Sequence, residues 1–71
     1  MKRTLIESST LRAVGFDDAH NILEAEFASG LVYHYFGVPR RVYDGLLRAP
    51  SKGSYFNLHI RDHYPTRKIA D

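Results

Sequence analysis

A chain of 71 residues with no cysteine and a formal net charge of +2 has room for one domain and excludes disulfides and thiolate metal sites. No apolar run approaches the roughly 20 residues of a membrane helix, and residues 1–7 carry no apolar leader, so a cytoplasmic protein without membrane contact is expected. A chain this small buries only about 60% of its unfolded surface, so its core alone supplies on the order of 3–5 kcal/mol.

Residues 1–9 are polar and read as an edge strand or a loose arm. Residues 11–16 read as a strand, ended by Asp17 and Asp18, which favour turns and leave His20 in one. Residues 21–27 alternate well, and residues 31–38 are rich in β-branched and aromatic side chains, so both are expected as strands. Between them, Ala28-Ser29-Gly30 suits a three-residue hairpin loop with glycine in the left-handed position. That loop sets Phe27 against Leu31, Ala25 against Tyr33 and Leu23 against Tyr35. Because side chains alternate across a sheet, these six share one face. The other face receives Ile22, Glu24 and Glu26 against Phe36, His34 and Val32. The wholly apolar and aromatic face is expected to be the buried one.

After the hairpin the period changes to that of a helix. Pro39 suits a first helical turn, Val42, Tyr43, Leu46 and Leu47 recur at helical spacing, and Pro50 disfavours helix at Ala49. Ser51 is a good N-cap for a second helix, whose inner stripe is Phe56, Ile60 and Tyr64, with Pro65 at its end. Gly45 and Gly53 mark places where the helices approach closely. The expected architecture is α+β: a three-stranded antiparallel meander with two C-terminal helices packed on one face. The core runs over about residues 8–64, with residues 1–7 and 65–71 as flexible tails of a single domain.

The ordered series Ser8-Ser9, Val14-Gly15-Phe16-Asp17, the strand Leu23–Phe27, Gly30, Tyr33-His34-Tyr35, Val38-Pro39, Val42-Tyr43, Ala49, Ser51-Lys52-Gly53, Phe56-Asn57, Ile60-Arg61 and Tyr64 resembles the lysyl-tRNA synthetase C-terminal domain family, the KTSC domain. The resemblance runs from about residue 8 to residue 64. It is carried by the whole series, since Tyr-X-Tyr alone would be a weak signal. Phe16 stands where the family most often has tyrosine. The family occurs as an appendage of synthetases and as free-standing small bacterial proteins, and this chain is similar to the second kind. The resemblance implies a domain of unestablished biochemical function, with RNA binding suggested by the synthetase context.

Charge is uneven along the chain. Residues 1–36 carry Lys2, Arg3 and Arg12 against Glu7, Asp17, Asp18, Glu24 and Glu26, a net of −2. Residues 37–71 carry Arg40, Arg41, Arg48, Lys52, Arg61, Arg67 and Lys68 against Asp44, Asp62 and Asp71, a net of +4. Candidate contacts to nucleic acid are therefore Arg40, Arg41 and Arg48 on the first helix and Lys52, Gly53, Asn57 and Arg61 on the second. Backbone N–H groups at the second helix's start, beside Lys52, suit a phosphate. The plainer alternative has Ser51 capping, Gly53 packing and Arg61 paired with Asp44 or Asp62. Tyr33 and Tyr35 invite comparison with sheets that stack bases, but the hairpin register sends them to the buried face. With Phe56, Ile60 and Tyr64, they are expected in the core.

His59 and His63 have a metal-binding spacing on a helix, but no third ligand accompanies them. Ser51-Lys52-Gly53-Ser54 lacks the glycine spacing of a phosphate-binding loop, and no catalytic constellation emerges. The expectation is a small non-enzymatic binding domain with no cofactor, no metal and no small-molecule substrate. Its leading partner is RNA, tRNA in particular, held at a basic helical surface. The alternative is a protein-interaction module or homodimer using the open sheet face (Ile22, Val32, Phe36) or an edge strand.

Overall fold

The computed structural model describes residues 2–70. Its elements run β1 (Arg3–Leu5), β2 (Leu11–Asp17), β3 (Ile22–Phe27), β4 (Val32–Phe36), α1 (Arg40–Arg48), α2 (Lys52–His59) and β5 (Thr66–Ala70). The fold is α+β as expected, but the sheet has five strands in the order β1-β2-β3-β4-β5, not three. Every neighbouring pair is antiparallel. Both added strands lie outside the expected meander: β1 is the edge-strand alternative for residues 1–9, and β5 falls in the segment expected as a flexible tail. Neither carries a buried residue, so neither has the apolar alternation by which a strand is recognised. They form because the outer edges of β2 and β4 offer unpaired backbone groups.

The β3–β4 hairpin closes as its loop chemistry requires. Gly30 has φ 97°, a conformation open to glycine. Its N–H donates to the Phe27 carbonyl at 2.9 Å, and the Phe27 N–H donates to the Leu31 carbonyl at 2.9 Å. The resulting register pairs Leu23 with Tyr35, Ala25 with Tyr33 and Glu24 with His34. One face thus collects Leu11, Val14, Leu23, Ala25 and Tyr35. These pack with Tyr43 and Leu46 of α1 and with Phe56 and Ile60 at α2 into one core.

Helix α1 stops where Pro50 demands, with Ala49 extended at ψ 137°. Ser51 caps α2 by accepting from the Ser54 N–H at 3.3 Å. Helix α2 ends at His59 rather than continuing through Tyr64. The Arg61 N–H reaches back to the Phe56 carbonyl at 2.8 Å, and Asp62 takes φ 65°, which turns the chain out of the helix and toward β5. Gly45 does mark a close helix approach: a Cβ there would run into the Tyr55 ring of α2, whose hydroxyl donates to the Val42 carbonyl at 3.0 Å. Gly53 does not. A Cβ there would meet Ser8 Oγ at an ordinary 3.5 Å, so it faces the segment entering β2.

The open sheet face is crossed by a row of charges. Arg3, Gly15, Glu24 and His34 stand in register on four consecutive strands. Gly15 has no side chain, so Arg3 spans it and its Nε donates to Glu24 Oε2 at 2.7 Å. His34 Nε2 lies 3.0 Å from the other Glu24 oxygen. Arg3 and Arg12 both reach Glu26. Glu24 is only 7% exposed and its carboxyl is held below the usual glutamate range, first by the hydrogen bond from Arg3, with burial opposing and His34 adding to the effect.

Gly45→Ala is expected to lower stability by about 1–2 kcal/mol in urea denaturation, because displacing Tyr55 and its hydrogen bond outweighs the roughly 1 kcal/mol gain in helix propensity. A stabilised variant would show that Tyr55 is free to move aside. Glu24→Gln is expected to cost about 1–2 kcal/mol at neutral pH. A depressed carboxyl stabilises the fold above its ordinary pKa and loses that contribution as pH falls through the depressed value. The gap between the two proteins should therefore narrow as pH falls below the ordinary glutamate value of about 4.3 and on through the depressed one. A gap that persists at low pH would exclude the ion pair as its source.

Candidate nucleic-acid interface

The cations proposed from the sequence separate into two groups once their partners are known. Arg40 is engaged internally: its guanidinium holds Asp18 at 2.6 Å and Asp44 at 3.0 Å. It also lies over the Phe16 and Tyr43 rings, which stack with centroids 5.1 Å apart. This clasp ties the first turn of α1 to the β2–β3 turn. Lys52 folds back, its Nζ donating to the Ala49 carbonyl at 2.9 Å, so it satisfies the end of α1. Arg41, Arg48 and Arg61 are exposed and have no ion pair among the described residues. Arg61 pairs with neither Asp44, which Arg40 holds, nor the adjacent Asp62. The His59 ring lies tilted against Tyr55 with centroids 4.5 Å apart, and His63 lies beyond the helix end.

Arg61 stands at the rim of a groove of about 610 Å³ between α2 and the β4–β5 half of the sheet. The groove also takes in the β3–β4 loop, and β5 contributes Thr66 to it. Its apolar wall is Phe27, Tyr33, Tyr35 and Phe56. The Phe27 ring meets Tyr33 and Phe56 edge-on at 5.8 and 5.6 Å, and Tyr35 meets Phe56 edge-on at 5.3 Å. These edge-to-face contacts fix the rings. Around them stand Ser9, Thr10, Asn57, Arg61, Asp62, Tyr64 and Thr66.

Of the motif residues assigned to the core, Tyr35, Phe56 and Ile60 are buried. Tyr33 and Tyr64 are half-buried and line the groove. Tyr35 is 5% exposed, yet its hydroxyl has no hydrogen-bond partner among the described residues. No polar side-chain atom among those residues is both sealed and unsatisfied, so this hydroxyl opens to the groove. Burial raises the Tyr35 phenol above its usual range, and Arg61, Tyr33 and Asp62 are the charged or ionisable groups it feels. Asn57, Arg61, Asp62 and the hydroxyls of Tyr33 and Tyr64 likewise have no side-chain partner among the described residues. The groove therefore offers fixed aromatic surface beside a ring of unused donors and acceptors, as a binding site does.

A second, polar hollow of about 350 Å³ lies at the start of α2, lined by Glu7, Ser8, Ser9, Thr10, Pro50, Ser51, Lys52, Gly53, Ser54 and Asn57. It meets the aromatic groove at Ser9, Thr10 and Asn57. The basic character sought there is reduced, since Lys52 is turned to Ala49 and Glu7 faces the same hollow.

Sequence reasoning did not find Asp62 or Thr66 as groove residues. The signal available was local. Asp tolerates the left-handed conformation, and Tyr64 precedes proline and so resists helix. Both argue for an earlier helix end than the spacing of Phe56, Ile60 and Tyr64 suggests.

Comparisons with known proteins place the chain. It is 49% identical over 65 residues to an uncharacterised protein of Stutzerimonas stutzeri, covering 90% of this chain and 92% of that one. It is 36% identical over 64 residues to a lysine–tRNA ligase of Nostoc punctiforme, covering 90% of this chain but only 11% of the ligase. The crystal structure of a KTSC domain protein from Yersinia pestis superposes with a TM-score of 0.94 at 34% identity, covering 96% of both chains. The KTSC domain model matches residues 7–64, and the chain belongs to the KTSC domain family.

Proposed function

We propose that this domain is a non-enzymatic RNA-binding module that contacts tRNA in the bacterial cytoplasm through the groove side of α2. The observation that carries the reading is Arg61. It is an exposed guanidinium at the rim of an aromatic groove, without an ion pair among the described residues, whereas Arg3, Arg12 and Arg40 are held by carboxylates. A free guanidinium beside Asn57 suits a phosphate and its sugar. The ligases that share this stretch are, by name, enzymes that charge tRNA with lysine, which supports the choice of RNA. Arg41 and Arg48 are further exposed cations on α1 without an ion pair among the described residues. Arg40 and Lys52 contribute less, because binding RNA through them means breaking contacts they already make.

A protein-binding role is the second reading. Leu5 at 79% and Ile69 at 47% exposure stand on the two edge strands, where another chain can pair.

The test is titration of tRNA at low and moderate salt. Binding should weaken as salt rises. Arg61→Glu should reduce affinity by about tenfold and lower the salt slope by about one, while Arg40→Gln should do much less. Equal losses from the two variants would place the contact elsewhere on the basic half. No binding at low salt, with a concentration-dependent sedimentation coefficient for the protein alone, would favour the edge strands.

A further inference from the structure

Resting on the RNA reading, we propose that the aromatic groove receives one unpaired nucleotide, so that the domain selects single-stranded RNA or a looped-out base over duplex. Three observations lead there. First, Tyr33 is half-buried at the groove wall and held edge-on to Phe27 at 5.8 Å, so one ring surface is already fixed for stacking. Second, Tyr35 is 5% exposed with a hydroxyl that lacks a partner among the described residues and opens to the same space. A hydroxyl that opens there is available to donate to or accept from a bound base. Third, Asn57 and Asp62 line the groove without side-chain partners among the described residues. An amide and a carboxylate together match the donor and acceptor edges of a base.

The geometry excludes a paired base. In A-form duplex the bases are stacked, and their edges lie in a narrow major groove that side chains cannot read or a shallow minor groove. An aromatic wall recessed between α2 and the sheet meets a base face only after that base has left the stack. The volume of about 610 Å³ is in the range of sites that enclose a small organic ligand. Arg61 at the rim then takes the adjoining phosphate, which couples the base pocket to the electrostatic contact proposed above.

The experiment uses the full chain with a fluorescein-labelled, unstructured oligoribonucleotide and the same strand annealed to its complement, followed by anisotropy. The single strand should bind about tenfold or more tightly than the duplex. Tyr33→Leu, checked for fold by circular dichroism, and the exposed Asn57→Ala should each weaken single-strand binding by about tenfold and about fivefold, respectively. Neither should change the salt slope, since neither side chain carries a charge. Single strand and duplex bound equally, with both variants unaffected, would overturn the base pocket and leave phosphate-directed RNA binding in place. If neither RNA binds at low salt, both readings fall.

Discussion

One glycine in one hairpin decides which way everything else faces. Gly30 occupies the left-handed position of a three-residue loop and so sets the β3–β4 register. A shift of one residue would move every side chain of a strand to the other side of the sheet. With the observed register, Leu23, Ala25 and Tyr35 meet the helices, and Glu24 and His34 lie on the opposite face, paired with each other. The core, the charged row on the open face and the groove follow from that choice.

The two sheet faces solve different problems. On the helix side, burial is apolar and the rings of Phe27, Tyr35 and Phe56 lock edge to face. On the open side there is no covering layer, and the chain protects the sheet with ion pairs. Arg3 can reach Glu24 only because the intervening strand has Gly15 at that position. A carboxylate thus becomes nearly buried on a face with no helix over it, and its satisfaction by Arg3 and His34 makes that burial tolerable.

The groove is a consequence of a mismatch in size. Two helices of nine and eight residues leave part of a five-stranded sheet uncovered, and the groove opens beside α2 where β4, the β3–β4 loop and Thr66 of β5 come together. Helix α2 ends early, at the turn through Asp62, and that turn delivers Arg61, Asp62 and Tyr64 to the groove rim instead of continuing the packed stripe. The same turn feeds β5 into the sheet, so the strand that widens the sheet and the residues that surround the groove arise from one change of direction. Tyr33 and Tyr35 then differ in role: Tyr35 builds the core and Tyr33 presents a ring beside it.

Local chemistry was legible from the sequence alone. Gly30, Pro39, Pro50 and Ser51 marked the hairpin and the helix starts and stops, because each acts through backbone geometry within a few residues. The alternation of 21–27 against 31–38 was enough to assign faces, including the Glu24–His34 contact. Tertiary structure alone decided the rest, since it depends on residues distant in the chain. β1 and β5 are strands because neighbouring edges were unpaired, not because their own residues alternate. Arg40 and Lys52 are engaged and Arg61 is free because of where Asp18, Asp44 and the Ala49 carbonyl come to lie. Whether Tyr33 is core or groove wall turned on how far two short helices extend across a sheet whose width the sequence did not reveal.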